Sequence, residues 1–411
     1  MRPLRIGICA LVAFAVLAFG TVETWSQSIL EAGAAILFLW WAILIFVRRE
    51  TEIRWNVIFW PLLAFVGVAC LQLLFGFTAY PFLTRVALLK MGGCLLLFFL
   101  SVQAFQTRQD LRFLAWFLLW FGFGVAVLGI AQEYTSHSVL YWLRPLTEGG
   151  NPFGPYVDRD HFAGFMELVV PVGMSLVVFR GVRREQILFV GILTLVPATA
   201  LILTASRGGI ASFVFEVGLL AAMTRFHRRR FRGVTVTVIL LGVLASVAWL
   251  GAGTVLDRVR TSSIGELSKD RRVTMVKSAW HMFLANPWVG TGLGTLVAVY
   301  PKYETFYDGR IVDHVHNDYM EMLAEMGIAG GLCGLAFLTM LFGQAIVRLK
   351  EEQSQFSQAV HTAGLVGCSG LLVHSFVDFN LHIPSNGLFF LVLATVALSP
   401  VFHRRKQVSM T

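Results

Sequence analysis

Charged side chains are scarce in this chain. Of its 411 residues only 14% are Asp, Glu, Lys or Arg while 56% are hydrophobic, and a mean hydropathy of +0.71 lies far outside the range of water-soluble domains, which excludes that class. Cysteine is equally thin. The five residues Cys9, Cys70, Cys94, Cys333 and Cys368 all fall in apolar segments without metal-ligand spacing, so neither a disulfide framework nor a cysteine zinc site is expected. No Walker or Rossmann phosphate loop is present. Gly292 and Gly294 in GTGLG lack the preceding strand and downstream acidic residue that a nucleotide site needs. The sequence also holds no low-complexity tract and no assertable internal repeat.

What it does have is long apolar runs. They lie at roughly 4–22, 29–47, 57–75, 83–104, 111–131, 161–179, 186–204, 206–224, 234–253, 319–347, 359–377 and 385–402, and most are long enough to cross a bilayer. The expectation is an all-α polytopic membrane protein with about twelve transmembrane helices. The first run resembles a signal peptide but is followed at once by further spans, and reads as an uncleaved first helix. Twenty of the 33 basic residues, among them Arg48, Arg108, Arg183, Arg228, Arg348 and Lys350, fall at the termini and on the connections of one side. That side is expected to be cytoplasmic. The net charge of +9 is mostly this topology signal. Because the basic residues are scattered over short turns, no nucleic-acid partner is expected.

The opposite face receives two long connections, about 132–160 and 254–318. The second is too long for a turn, and carries a helical pattern from Val273 to Leu284 followed by the breaker NPWVGTGLG. It should fold as a periplasmic loop, between helices nine and ten, that caps the membrane domain. Ionisable residues persist near the outer halves of the spans: Arg85, Lys90, Glu167, Arg207 and Glu216. Such groups line cavities or pair with one another. Counting residues from the outer helix ends suggests that Lys90 meets Glu216, with Glu167 as competitor. His314, His316, Asn317 and Asp318 stand where the polar loop meets a helix that would begin at Tyr319, with Asp318 and Glu321 spaced as a capping pair.

Four stretches then carry a resemblance: VETW at Val22–Trp25, DRDHFAG at Asp158–Gly164, RRVTMVKSAWHMFLANPWVGTGLG at Arg271–Gly294 and HVHNDYMEMLAEMGIAG at His314–Gly330. A fifth is HSFVDFNLHIPSN at His374–Asn386. In order and spacing these resemble the bacterial O-antigen ligase and polymerase family, more narrowly its exopolysaccharide-polymerase branch. Asp160 departs from the Asn frequent there, which leaves its role open. The resemblance implies a single O-antigen ligase-like membrane domain over 1–411, similar to C-type glycosyltransferases, with 254–318 capping the active site. It implies a glycosyltransferase of the inner membrane with its site facing the periplasm. The donor would be an undecaprenyl-diphosphate-linked glycan, and the acceptor another glycan or the lipid A core, with membrane lipid around the protein. Transfer would be inverting, with no metal and no cofactor. A transferring enzyme needs a neutral base to take the acceptor hydroxyl proton, and histidine, with an unperturbed pKa near ~6.5, suits that task. His316 is assigned as that base, with Arg207 and Arg159 as catalytic cations for the departing diphosphate. Arg272, Arg85, His314, Asn317 and Asp378 are assigned to substrate binding. A transporter or flippase of lipid-linked glycans is the alternative that many spans with buried charges also suit.

Overall fold

The computed structural model describes residues 1–48, 53–136, 139–146, 151–226, 241–242, 245, 265–305, 307 and 309–400. Among these every named element is helical. The helices are α1 (Arg2–Leu17), α2 (Thr24–Arg48), α3 (Phe59–Leu74), α4 (Pro81–Ala104), α5 (Arg108–Thr135), α6 (Arg159–Val178), α7 (Ile187–Leu203), α8 (Arg207–Phe226), α9 (Gly265–Ala285), α10 (Leu296–Val299), α11 (Asp318–Glu351), α12 (Gln355–His374) and α13 (Pro384–Ala397). Eight of the described helices are long and apolar enough to cross a membrane, and α3 and α13 are shorter apolar helices. Eleven of the twelve apolar runs thus coincide with helices. The ninth, 234–253, falls almost wholly outside the described residues, as do Arg228 to Arg232 and the loop start at 254–264.

Helix starts are set by local chemistry. Thr107 and Asp110 form a reciprocal capping box at α5, and the Asp158 side chain accepts from the Asp160 N–H at α6, each satisfying amide donors that have no partner inside the helix. The sequence pattern predicts a start of α11 at Tyr319 with Asp318 as its cap. The structure moves this by one: Asn317 is the cap, its Oδ1 accepting from the Met320 N–H at 2.9 Å. Asp318 becomes the first helical residue, and its carboxylate is released for other work.

The centre of the bundle is α6, whose residues from His161 to Val178 are all buried, enclosed by α5, α7, α8, α12 and α13. A second, smaller core lies under the long loop. Met275, Ala279, Met282 and Phe283 of α9 join Leu296, Tyr300, Val312, Val315, Met320 and Ala324, so α9, which extends the expected 273–284 helix, is packed on the first turns of α11.

The sequence read 319–347 as one uninterrupted span, whereas α11 is broken at Gly327, where φ is +61° and ψ −163°. That backbone region is nearly confined to glycine. A break inside an apolar helix frees backbone groups that need partners elsewhere. Here the NPWVGTGLG segment inserts to satisfy them: Thr291 N–H donates to Ala324 O at 3.1 Å, Gly292 N–H to Glu325 O at 2.9 Å, Ile328 N–H to Pro287 O at 2.8 Å and Ala329 N–H to Trp288 O at 3.0 Å. Gln72 of α3 completes the joint, donating to Glu325 O at 2.8 Å and accepting from Leu293 N–H at 3.0 Å. The loop and the membrane helix therefore form one hydrogen-bonded unit, which fixes the approach of the His314–Asp318 segment.

Candidate functional site

The start of α11 is sewn to the end of α12. Asp318 N–H donates to Ser375 O at 3.0 Å, Asn317 Nδ2 to Phe376 O at 2.9 Å and the Tyr319 hydroxyl to Leu372 O at 2.7 Å. This stitching brings His316 to Asp378, with Nδ1 3.0 Å from Oδ1. His316 itself holds φ at +51°, a left-handed conformation uncommon for a side chain of this size and one that concentrates at functional sites. Its side chain is 25% exposed, against 1% for Asp378. A carboxylate on Nδ1 fixes the tautomer in which Nδ1 carries the proton and Nε2 is left to accept one.

Asp378 lies in a dense polar setting. Its Oδ1 also accepts from Phe379 N–H at 2.8 Å, His161 Nε2 stands 3.9 Å from Oδ1 and His374 Nε2 stands 3.8 Å from Oδ2. Burial alone would raise the Asp378 carboxyl, but the hydrogen bond with His316 and the charges of His161 and His374 outweigh it and hold the group well below the usual carboxylate range. Behind His374, Nδ1 is bonded to Glu167 of α6 at 2.8 Å. The ring of Phe379 is the common wall: its centroid is 4.6 Å from His161, 4.2 Å from a stacked His314 and 5.0 Å from His316.

Arg272 of α9 reaches this corner across the loop. Its Nη2 lies 3.3 Å from Asp160 Oδ2 and its Nη1 donates to Val377 O at 3.0 Å, next to Asp378. Asp160, whose role the sequence left open, thus anchors the loop arginine. Arg159 is the neighbouring residue at the head of α6. Arg207 heads α8 and is exposed, and a Cβ on the adjacent Gly208 would stand 2.6 Å from the His374 ring and 2.9 Å from Val377. His316, Asp378 and Arg272 therefore come from three segments to one corner of the fold, beside the heads of α6 and α8 that carry Arg159 and Arg207. Arg85 does not share in these contacts: it is an exposed residue of α4, the helix against which the turn at Gly294 packs.

His314 is drawn elsewhere, with Nδ1 2.6 Å from Glu321 Oε1. Glu321 Oε2 accepts from Val315 N–H at 3.1 Å, and His382 approaches the same carboxylate at 3.4 Å through Nε2 while its Nδ1 lies 2.5 Å from Asp318 Oδ1. Burial opposes the charged form of His382, but Glu321 and Asp318 prevail and hold its pKa up to about 9. His314, Glu321 and His382 bring one ligand atom each to within 4.8 Å of one another, so among the described residues this trio could hold a metal. His161, His374, Glu167 and His382 were not assigned from the sequence. The spacing of His374, Asp378 and His382, four residues apart each time, was the available signal.

The expected Lys90 to Glu216 pairing is corrected. The acidic neighbours of Lys90 are Glu321, Glu325 and Glu31, whereas Glu216 neighbours Glu167 and packs on Gly370, where a Cβ would meet its Oε1 at 2.0 Å. The cause is helix order: α4 packs on α2 and α13, and α8 on α12 and α6.

Comparison with known proteins points to a family for part of the chain. Residues 188–335 match the family described as O-Antigen ligase, a span that holds Arg207, Arg272, His314, His316 and Asn317. The chain is similar to the teichuronic acid biosynthesis protein TuaE of Bacillus subtilis (strain 168), 25% identical over 304 residues that cover 66% of this chain. The match spans 58% of that relative's length. It is also similar to the exopolysaccharide production protein ExoQ of Rhizobium meliloti (strain 1021), 23% identical over 300 residues, 70% of this chain and 67% of the relative.

Proposed function

We propose that this chain, which carries an O-Antigen ligase family domain, is a glycosyltransferase that polymerises or ligates cell-envelope polysaccharide. It moves a glycan from an undecaprenyl diphosphate carrier to the hydroxyl of an acceptor sugar at the periplasmic face of the inner membrane, with inversion. The observation that carries this reading is the His316–Asp378 pair placed beside an anchored Arg272. The acceptor oxygen attacks the anomeric carbon as the bond to diphosphate breaks, and its proton passes to His316 Nε2. Asp378, already bonded to Nδ1, offsets the positive charge that forms on the ring, as a buried carboxylate does in other His-based sites. The leaving diphosphate gains negative charge, which Arg207 and Arg159 neutralise through charge-assisted hydrogen bonds with no metal between them. Arg272 holds the capping loop over the site, and Asn317 fixes the helix start beside the base. The names of both relatives, one in teichuronic acid biosynthesis and one in exopolysaccharide production, favour a growing polysaccharide over lipid A core as acceptor.

The test is to measure product formation and donor binding separately in two variants. His316→Ala should lose transfer by about 10²–10⁴-fold while binding lipid-linked donor like the wild type, because removing a base raises the barrier without touching the arginines. Arg207→Ala should weaken donor binding and turnover together. Normal turnover in His316→Ala would remove the base from this account.

A further inference from the structure

Beside the His316 pair stands a second cluster that the transfer chemistry does not use. We propose that His314, Glu321 and His382 form a binding site for one divalent transition-metal ion, with Zn²⁺ the metal that two imidazoles and a carboxylate suit best. Zinc bonds of about 2.0–2.2 Å place two ligand atoms roughly 3.3 Å apart at a tetrahedral angle, and His382 Nε2 is already 3.4 Å from Glu321 Oε1. The 2.6 Å between His314 Nδ1 and the same oxygen is a hydrogen-bond separation; it opens by about 0.7 Å to admit the ion, which takes the place of the protons between Glu321 and the two imidazoles and releases them to solvent.

The surroundings are those of a built site. Metal-bound histidines commonly give their other ring nitrogen to a carboxylate that is itself hydrogen-bonded. His382 does so: its Nδ1 faces Asp318 Oδ1 at 2.5 Å, and Asp318 Oδ2 accepts from Leu381 N–H at 3.0 Å. Glu321 is turned so that Oε1 faces both imidazoles, because Oε2 is held by the Val315 N–H. The His314 ring is fixed by stacking on Phe379. Glu321 is buried and both histidines are about a quarter exposed, which leaves a fourth coordination position toward solvent. The ion ties three separate segments together: the loop before α11, the first turn of α11, and the turn before α13. No step of the transfer proposed above runs through it, and the site stands independently of that reading.

Co²⁺ is the probe, titrated into the tag-free, detergent-solubilised full chain. The expected result is one equivalent bound with the visible absorption of four-coordinate Co²⁺, displaced by one equivalent of Zn²⁺. Glu321→Gln and His382→Asn should abolish the absorption, Asp318→Asn should weaken binding by about 10–100-fold, and His281→Asn, on the exposed side of α9, should change nothing. Melting curves in chelator show whether each variant is folded, and His382→Asn, the more exposed ligand, decides if Glu321→Gln is not. Absence of stoichiometric binding by the wild type overturns the proposal and leaves a proton-filled hydrogen-bond network. So does equal binding by folded His382→Asn.

Discussion

Asp378 separates a catalytic reading of the His316 corner from a merely structural one. In the proposed reaction it touches no substrate atom and acts through the Nδ1 of His316, as a positioning residue in place of the substrate contact expected from the sequence. Asp378→Asn should lower kcat by about 10²–10⁴-fold with KM little changed, and should move the acid limb of the rate profile, which a purely structural carboxylate would not do. The same group has a stability signature. Its folded pKa lies below the unfolded value of about 3.9, so the native state binds fewer protons and the stabilisation is present above about pH 4. It is lost as pH falls further. The stability gap between wild type and Asp378→Asn, followed by denaturant melts, should therefore be widest near neutrality and narrow below about pH 4; a gap constant across that range would contradict the assignment. That His316, Arg272 and Asp378 belong together was legible because each sits in a motif with recognisable neighbours, and the structure brings the three side by side. The contact of His374 with Glu167 was not, since it joins residues 207 apart in sequence and nothing in local spacing encodes which helices become neighbours.

At the scale of elements, the break in α11 decides where the site is placed. Hydropathy continues through the MGIAGG stretch, so a periodicity argument sees one helix; only the conformation of Gly327 and the hydrogen bonds from the 286–294 segment reveal two. The fold class, by contrast, was plain from the apolar runs, because membrane helices must be long, apolar and internally hydrogen-bonded. The helix start at Asn317 rather than Asp318 shows the limit of capping patterns, for either side chain can cap and the tertiary demand of His382 for Asp318 settles which one does. Gly327→Ala should be costly. The added carbon would lie 2.5 Å from the Trp288 backbone, and the backbone conformation itself costs roughly 1–3 kcal/mol for a non-glycine residue. The variant should melt earlier in detergent and lose transfer, whereas Gly343→Ala, with open space around it, should do neither. Equal melting of the two variants would mean that the break is not a rigid joint.

For the whole molecule, a single transfer site requires all proposed site residues to face one compartment. On the bias of basic residues, we propose that both termini and the Arg225 to Arg232 segment face the cytoplasm and the 254–318 connection the periplasm. Reporter fusions should report Ser263 as periplasmic; a cytoplasmic Ser263 would put His316 on the wrong side for a periplasmic transfer. The alternative of a flippase moves the lipid-linked glycan without lengthening it, and one experiment separates the two. Purified protein is incubated with an undecaprenyl-diphosphate-linked repeat, without nucleotide, and the glycan products are sized. The account predicts chains longer than the input from the wild type and none from His316→Ala that still binds the donor. Unchanged glycan length with the wild type, or equal elongation by the two proteins, would contradict it.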